Sequence, residues 1–498
     1  MNPIWLILLI STIVRVWGIN FAFPLRYGHI DESVVIFYTM RFFTGDFNPN
    51  PFFDYPTFYL YLLFFCYFLY FMLGLLLGKF DSIGSFISHY NTNAVPFILI
   101  GRLLTVAFSI GTIYLTYLLA KKLFDKKTGL LSALFLSLSW QHILSSHYAT
   151  TDITAAFFTL LTAFFIWNVY SQGEPKSFIY AGFFCGLSAA TKYYGGILFL
   201  TIILLGWENK KYILYSFLAL ILGFFIGCPY SIIDFAGFSE RFLDRFNLIV
   251  ATDKNQLFHG FLNYPDILVD GLGYFLVITS ASGLLLLIKN RIKQNVFLLA
   301  IIFILVVFFG SWKGLTGRYI LALYPFFAII SALVTAKIKN KQILTFILLI
   351  FLIVTFPKII KTDILLTQKD SRVLAREWVI KNIPEQSKIL RGPFCPEFPN
   401  DNYVTTVDWH DKIKAEKFSE LQKKFDFVIT SSLHSDPETF TTKLMEYGKK
   451  IYEISKVSAG EFHNPTIKIY KITQMTADDT MCHPERSEES RDSSLRSE

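Results

Sequence analysis

Long apolar blocks alternate with short charged loops along this chain, and that alternation sets the expected fold. Val296–Phe309, Tyr319–Ala336 and Gln342–Phe356 contain no charged residue. Blocks of this kind approach the roughly 20 apolar residues that a helix needs to cross a bilayer. Between them stand four basic clusters: Lys121, Lys122, Lys126 and Lys127; Lys210 and Lys211; Lys289, Arg291 and Lys293; and Lys337, Lys339 and Lys341. Cytoplasmic loops concentrate Lys and Arg, so all four are expected inside. Walking outward from them predicts spans near 97–120, 128–147, 152–170, 178–191, 194–208, 212–228, 267–288, 296–310, 319–336 and 342–357. The block from Ile4 to Ile19 adds one more, for about eleven transmembrane helices. The N-terminus then lies inside and the C-terminus outside.

Thr57–Gly78 does not fit this count. It is apolar enough to span, yet a crossing there would carry the Lys121 cluster to the outer side. It is also dense in Phe and Tyr, and aromatic residues favour the interface. The segment is therefore expected to lie in, or re-enter, the outer leaflet within a large first external loop over residues 21–96. The alternative is that it spans and another short segment does not.

From Lys358 onward charge rises and the pattern changes. Ser371–Asn382 and Asp411–Lys424 read as helices, and Lys388–Leu390, Phe427–Thr430 and Ile467–Tyr470 as strands. Residues 1–357 are thus expected to form a membrane domain, and 358–475 a small external α/β domain. The remainder, 476–498, ends in the Ser-rich and charged run Cys482–Glu498, which holds too little apolar surface to order itself.

Composition agrees. The chain has 498 residues, 53% hydrophobic and 17% aromatic, and its apolar residues come in blocks rather than dispersed. The first block lacks a following small-residue cleavage site, which reads as a retained anchor. A net charge of +8 would suggest nucleic acid in a soluble protein, but the basic loops account for it here. The five cysteines show no CxxC or metal-type spacing, so neither a disulfide framework nor a zinc site is implied.

Charge that survives beside lipid is the functional signal. Asp31 and Glu32 follow the first span, with His29 beside them, and Asp152 opens a later span. Lys192 sits at a short apex between two spans, and Arg318 in the run Gly314–Tyr319. On the predicted topology all of these gather on the outer face. Sugar transfer from a lipid phosphate would use such a set. The departing phosphate ester needs no proton, so the requirements are a carboxylate to accept the acceptor's proton and cations to hold the phosphate. Asp31 would be the base, with Glu32 and Asp152 orienting the acceptor. Arg318 would bind phosphate as a fork and Lys192 as a point charge. Each residue also has a plainer reading. Asp152 can be a helix N-cap, Lys192 can snorkel, Arg318 and Arg102 can anchor the interface, and the Asp31–Glu32 pair can be structural. His147, Asp152 and Asp31 around a divalent metal is a further reading, without a recognised ligand spacing.

The order of these residues resembles the bacterial and archaeal glycosyltransferase family 39 membrane proteins of the GT-C superfamily. These are relatives of dolichyl-phosphate-mannose protein mannosyltransferases and of the lipid A aminoarabinose transferase. The matching pieces are Asp31–Glu32, the Tyr55–Pro56 step, Gly101–Leu104 leading to Lys121–Phe124, and Ser146–Ala149 ahead of Asp152. Thr191–Tyr193, Gly317–Tyr319 and Tyr324–Pro325 continue it, and Ala375–Pro384 opens the external domain in the family manner. The resemblance covers about 1–475. It implies a GT-C fold and inverting transfer from a polyprenyl-phosphate-linked sugar. By the same resemblance Asp31 matches the catalytic first-loop Asp, Asp152 the second-loop Asp, and Lys192 the cation on the lipid phosphate. Arg102 and Arg318 join Lys192 as expected phosphate ligands, with His29, His147 and Tyr55 in support. Thr57 departs from the pattern, since many members carry a second Pro there. Expected partners are the lipid-linked donor and an envelope acceptor (protein, lipid A or another), at the plasma or inner membrane with the site on the outer face. No cofactor is called for beyond the metal reading. A lipid or polysaccharide transporter is the rival class, but it would show repeated halves and broken helices at mid-membrane.

Overall fold

The computed structural model describes residues 3–26, 28–249, 259–290, 292–392, 394–398, 403–407, 423–433, 442, 444–446, 448–460 and 463–472. Its chain forms two compact units, Met1–Gln368 with Ala459–His463, and Lys369–Ser458 with Asn464–Glu498.

The first unit is helical. Its opening elements are α1 Pro3–Val16, α2 Ile30–Arg41, α3 Phe58–Leu76, α4 Ile83–Thr92, α5 Val95–Leu123, α6 Lys126–Ser137, α7 Trp140–Ser146, α8 Thr151–Gln172 and α9 Pro175–Thr191. Then come α10 Phe199–Gly206, α11 Lys210–Gly227, α12 Tyr230–Ile233, α13 Phe235–Ile249, α14 His259–Leu272, α15 Tyr274–Lys289, α16 Lys293–Gly310, α17 Tyr324–Ala336 and α18 Lys341–Thr367. Six helical segments among the described residues are long and apolar enough to cross a membrane: Phe58–Leu76, Val95–Leu123, Thr151–Gln172, Tyr193–Gly227, Lys293–Gly310 and Lys341–Asn382. Pro3–Val16, Tyr274–Lys289 and Leu321–Ala336 are shorter apolar helices. The chain is a polytopic helical membrane protein.

Local chemistry sets the element ends. Asp125 caps α6 by accepting the Thr128 N–H at 2.7 Å, so the chain turns sharply between the basic ends of α5 and α6. Gly173 stops α8 in the left-handed region, φ 68°, returning its N–H to Val169 O.

Two expected spans are broken. Residues 128–147 divide into α6 and α7 because the fully buried Arg15 of α1 reaches the gap. Its guanidinium donates to Ser137 O at 3.1 Å, a carbonyl the ending helix leaves open, and also meets Ser109 Oγ at 2.7 Å and His142 Nδ1 at 3.0 Å. The expected span 267–288 is broken by Gly273 at φ 83°, which separates α14 from α15.

The resistant segment is the single unbroken helix α3, so a re-entrant hairpin is excluded. Its aromatic residues are explained by packing. Phe43, Tyr67, Phe71, Phe80, Phe86 and Phe97 form one aromatic cluster between α3, α4 and α5. Tyr59 bonds Gly101 O and Tyr67 bonds Phe97 O, so α3 runs back along α5 and its last turns pass the start of that helix. With 10 residues, roughly 15 Å, α4 is too short to recross a bilayer. The end of α3 and the start of α5 therefore share one side.

The second unit is α/β, with α19 Ser371–Asn382 and strands β1 Lys388–Arg391, β2 Val404–Val407, β3 Phe427–Ser431, β4 Gly448–Ile454 and β5 Ile467–Ile472. The sheet order is β2-β1-β3-β5-β4, with β1 parallel to β2 and β3, and β5 antiparallel to β3 and β4. Ala375 and Val379 of α19 pack on Ile389, Ile429 and Ile469, while Leu390, Val428 and Tyr470 cover the other face. The expected helix 371–382 and three strands are present. Because α18 runs on to Thr367, this unit starts at Lys369 rather than at 358. Most of the expected helix Asp411–Lys424, and all of 476–498, lie outside the described residues.

Candidate functional site

The connection between α1 and α2 delivers the first acids. His29 is the N-cap of α2, and its Nδ1 accepts the Asp31 N–H at 3.1 Å. The imidazole is buried against the Tyr148 ring at 4.5 Å, and burial pushes its pKa down to about 4, which leaves it neutral. Asp31 and Glu32 then occupy the first turn, and adjacent helical positions face different ways. The pair is divided by that geometry.

Asp31 turns toward the loop before α17. Its Oδ2 accepts Arg318 Nη1 at 2.6 Å and the Tyr55 hydroxyl at 3.3 Å. Burial pulls its pKa up, but the charges of His29 when protonated, Arg318 and Lys192 outweigh this and hold it below the usual carboxylate range. At neutral pH His29 is uncharged and Arg318 is the acting partner; as pH falls to about 4 the protonating His29 joins it. Burial and Asp31 push the Tyr55 phenol well up, so Tyr55 stays a donor.

Glu32 turns inward and is fully buried. Arg102 of α5 grips it with Nε to Oε1 at 2.8 Å and Nη2 to Oε2 at 2.9 Å, and the Ala149 N–H adds a third bond at 2.8 Å. Arg102 Nη1 meets Ile19 O and Phe21 O, and the guanidinium lies 3.8 Å from the centre of the Phe21 ring. Arg102 was expected on the donor phosphate and Glu32 on the acceptor. Both are instead committed to one internal pair that ties α2 to α5, which corrects those assignments.

Asp152 sits in the first turn of α8, but the N-cap is Thr150 and makes no side-chain cap bond. The Asp152 carboxylate faces Lys192 Nζ as a buried ion pair. Lys192 ends α9 in an extended conformation, φ −146° and ψ 131°, and its ammonium lies 5.4 Å from the Tyr55 ring centre and 5.2 Å from that of Tyr319. A lysine held this way is not snorkelling. The expected His147 support is not assembled: its ring nitrogens meet Ile143 O and Trp17 O at 3.0 and 2.9 Å. That also removes it from the metal reading, and among the described residues no group of three His, Cys, Asp or Glu is placed to hold a metal.

The structure thus brings together Asp31, Arg318, Tyr55, Asp152 and Lys192. Members of this set line two cavities. A polar one of about 200 Å³ is lined by His29, Trp140, Gln141, Asp152, Asp270 and Arg318. An apolar one of about 620 Å³ is lined by Tyr55, Lys192, Tyr319 and the Phe238, Phe242 and Arg245 side chains of α13. Sequence reasoning missed α13 and its Arg245, which pairs with Asp54. The run Phe235–Ile249 carries Phe238, Phe242 and Phe246 at four-residue spacing among charges, an amphipathic signal that was available. Asp234 holds the start of α13, accepting from Asn48 and Asn50 at 2.9 and 2.7 Å.

The helical fold is similar to that of two solved structures. ArnT from Cupriavidus metallidurans bound to undecaprenyl phosphate aligns with a TM-score of 0.57 at 11% identity, over 93% of this chain and 97% of that one. The Archaeoglobus fulgidus oligosaccharyltransferase aligns at 0.53 and 11% identity, over 95% of this chain and 75% of that one. Residues 96–231 match the dolichyl-phosphate-mannose-protein mannosyltransferase family model, so the family 39 resemblance read from the sequence is borne out. No curated protein matches the chain.

Proposed function

We propose that the chain transfers one sugar from a polyprenyl-phosphate-linked donor to an acceptor hydroxyl, with inversion, at the outer face of the membrane. The supporting observation is that the Asp31–Arg318 and Asp152–Lys192 pairs contribute Arg318 and Asp152 to a polar cavity and Lys192 to an apolar one. A polyprenyl tail fits the aromatic-lined side, and a sugar and acceptor the polar side. Lys192, Arg245 and Arg318 would hold the donor phosphate.

The chemistry follows from the pairing. A phosphate ester leaves as an anion, so no acid is required at the leaving oxygen. Asp31 accepts the acceptor's proton as its oxygen attacks the anomeric carbon from the side opposite the phosphate. In the resting site Arg318 weakens Asp31 as a base. An arriving phosphate competes for Arg318 and Lys192, which frees both carboxylates when substrate is in place. ArnT's bound undecaprenyl phosphate supports the donor class.

The test is a panel of radiolabelled polyprenyl-phosphate sugars offered to the purified protein in detergent. Label should pass to an acceptor with wild type and not with Asp31→Asn. Transfer by Asp31→Asn at the wild-type rate would exclude Asp31 as base.

A further inference from the structure

The second unit carries a topology that makes a site of its own. In the order β2-β1-β3 the chain leaves β1 for β2 on one side and returns to β3 on the other. Parallel α/β sheets bind ligands in the crevice beyond the carboxyl ends of the strands at such a reversal. In this sheet the reversal falls at the carboxyl ends of β1 and β3. Arg391, the last residue of β1, stands at it, opposite Ile429 of β3.

Arg391 is unusual in its surroundings. It is only 8% exposed, yet its Nε and Nη1 have no hydrogen-bond partner among the described residues. A guanidinium cannot shed its charge, and a buried cation without a counter-charge is strongly disfavoured. Among the described residues of the unit, the other buried arginine, Arg372, is treated differently: its Nε and Nη2 each bond Asp370 at 2.8 Å. The chain after Arg391 turns across the strand ends. Gly392 N–H bonds Ile429 O at 3.4 Å, and Cys395 N–H returns to Gly392 O at 3.2 Å. Cys395 Sγ also meets Ile429 O, at 3.2 Å, so this turn packs on the end of β3 beside Arg391.

We propose that this crevice binds an oxyanion of the phosphate class, with Arg391 as its principal ligand. The site is independent of the sugar-transfer reading, since it uses no residue of the first unit. Free phosphate and the phosphate of a lipid headgroup share the chemistry required.

Equilibrium dialysis of the full-length protein in neutral detergent against radiolabelled inorganic phosphate tests this, with wild type, R391M, R391K and K192M compared. Wild type should bind one equivalent that R391M lacks and K192M keeps, and R391K should hold that equivalent about tenfold more weakly. Loss of the equivalent in K192M alone would place it at the membrane site and overturn the proposal. So would phosphate binding by folded R391M with wild-type stoichiometry and affinity. If R391M does not fold, unchanged affinity in R391K overturns it equally. A parallel arm with dihexanoyl phosphatidic acid separates the sources. Arg391-dependent binding of the lipid alone assigns the anion to a headgroup, and binding of both assigns it to free phosphate.

Discussion

Two carboxylate–guanidinium pairs stand one residue apart in the sequence and do different work. Glu32–Arg102 is closed: both charges are fully buried and both carboxylate oxygens are gripped, while Arg102 also fills two backbone carbonyls. Asp31–Arg318 is open: its partners are half-shielded, it borders a cavity, and Tyr55 is its other neighbour. A closed pair holds helices together, and a substrate cannot reach it. An open pair can be parted by an incoming anion. The helical step of about 100° between neighbours is enough to send identical chemistry to opposite fates.

The sharpest way to break this comparison is to neutralise each acid alone. Asp31→Asn should lower transfer by about 10²–10⁴-fold, the usual worth of a positioned general base, with little change in thermal unfolding. Glu32→Gln should do the reverse. It leaves Arg102 buried and uncompensated, at a cost of about 3–5 kcal/mol in stability, read as a lower unfolding temperature in detergent. A stable but inactive Glu32→Gln protein, or an unfolded Asp31→Asn one, would reverse the two roles.

Arg245 sharpens the open side. Its pairing with Asp54 at the wall of the apolar cavity suits it to exchange that partner for a donor phosphate. Arg245→Gln should raise the donor KM about tenfold to a hundredfold, as expected for one charged hydrogen bond of about 1.5–3 kcal/mol, and leave unfolding unchanged. Equal loss in kcat with an unaltered KM would detach Arg245 from donor binding.

How far the sequence carried these distinctions depended on what each one rested on. Block hydropathy and basic loops are long-range averages, so the spans were legible even where individual helices break. The break at Ser137 was not, because it depends on Arg15 arriving from α1, more than a hundred positions away. Asp31, Asp152, Lys192 and Arg318 were legible as charges that lipid would not tolerate without use. Glu32 and Arg102 carry the same signal. Only the partner separates a structural charge from an available one, and pairing is a tertiary fact. Arg245 was hidden because its segment reads as an ordinary amphipathic helix, and only the fold brings it to Asp54, 191 positions away.

The finest test of the open pair is its titration. Asp31 is held below the usual carboxylate range, so it is charged, and able to accept a proton, above that depressed pKa. Activity should therefore persist to pH values below about 4, the unperturbed carboxylate range, and fall only as pH drops through the lower value. Any stability the charged form contributes is likewise present above the unfolded pKa and lost in the same acid window. Tyr55 donates to Asp31 and, being itself pushed upward, stays protonated throughout. Tyr55→Phe removes one bond to the charged form, so the acid limb of the kcat/KM profile should move up by less than one unit. Arg318→Gln removes the nearest cation and should move it further in the same direction. A limb that stays put in both variants would mean that a different carboxylate sets the acid dependence, with Asp152 the first to examine.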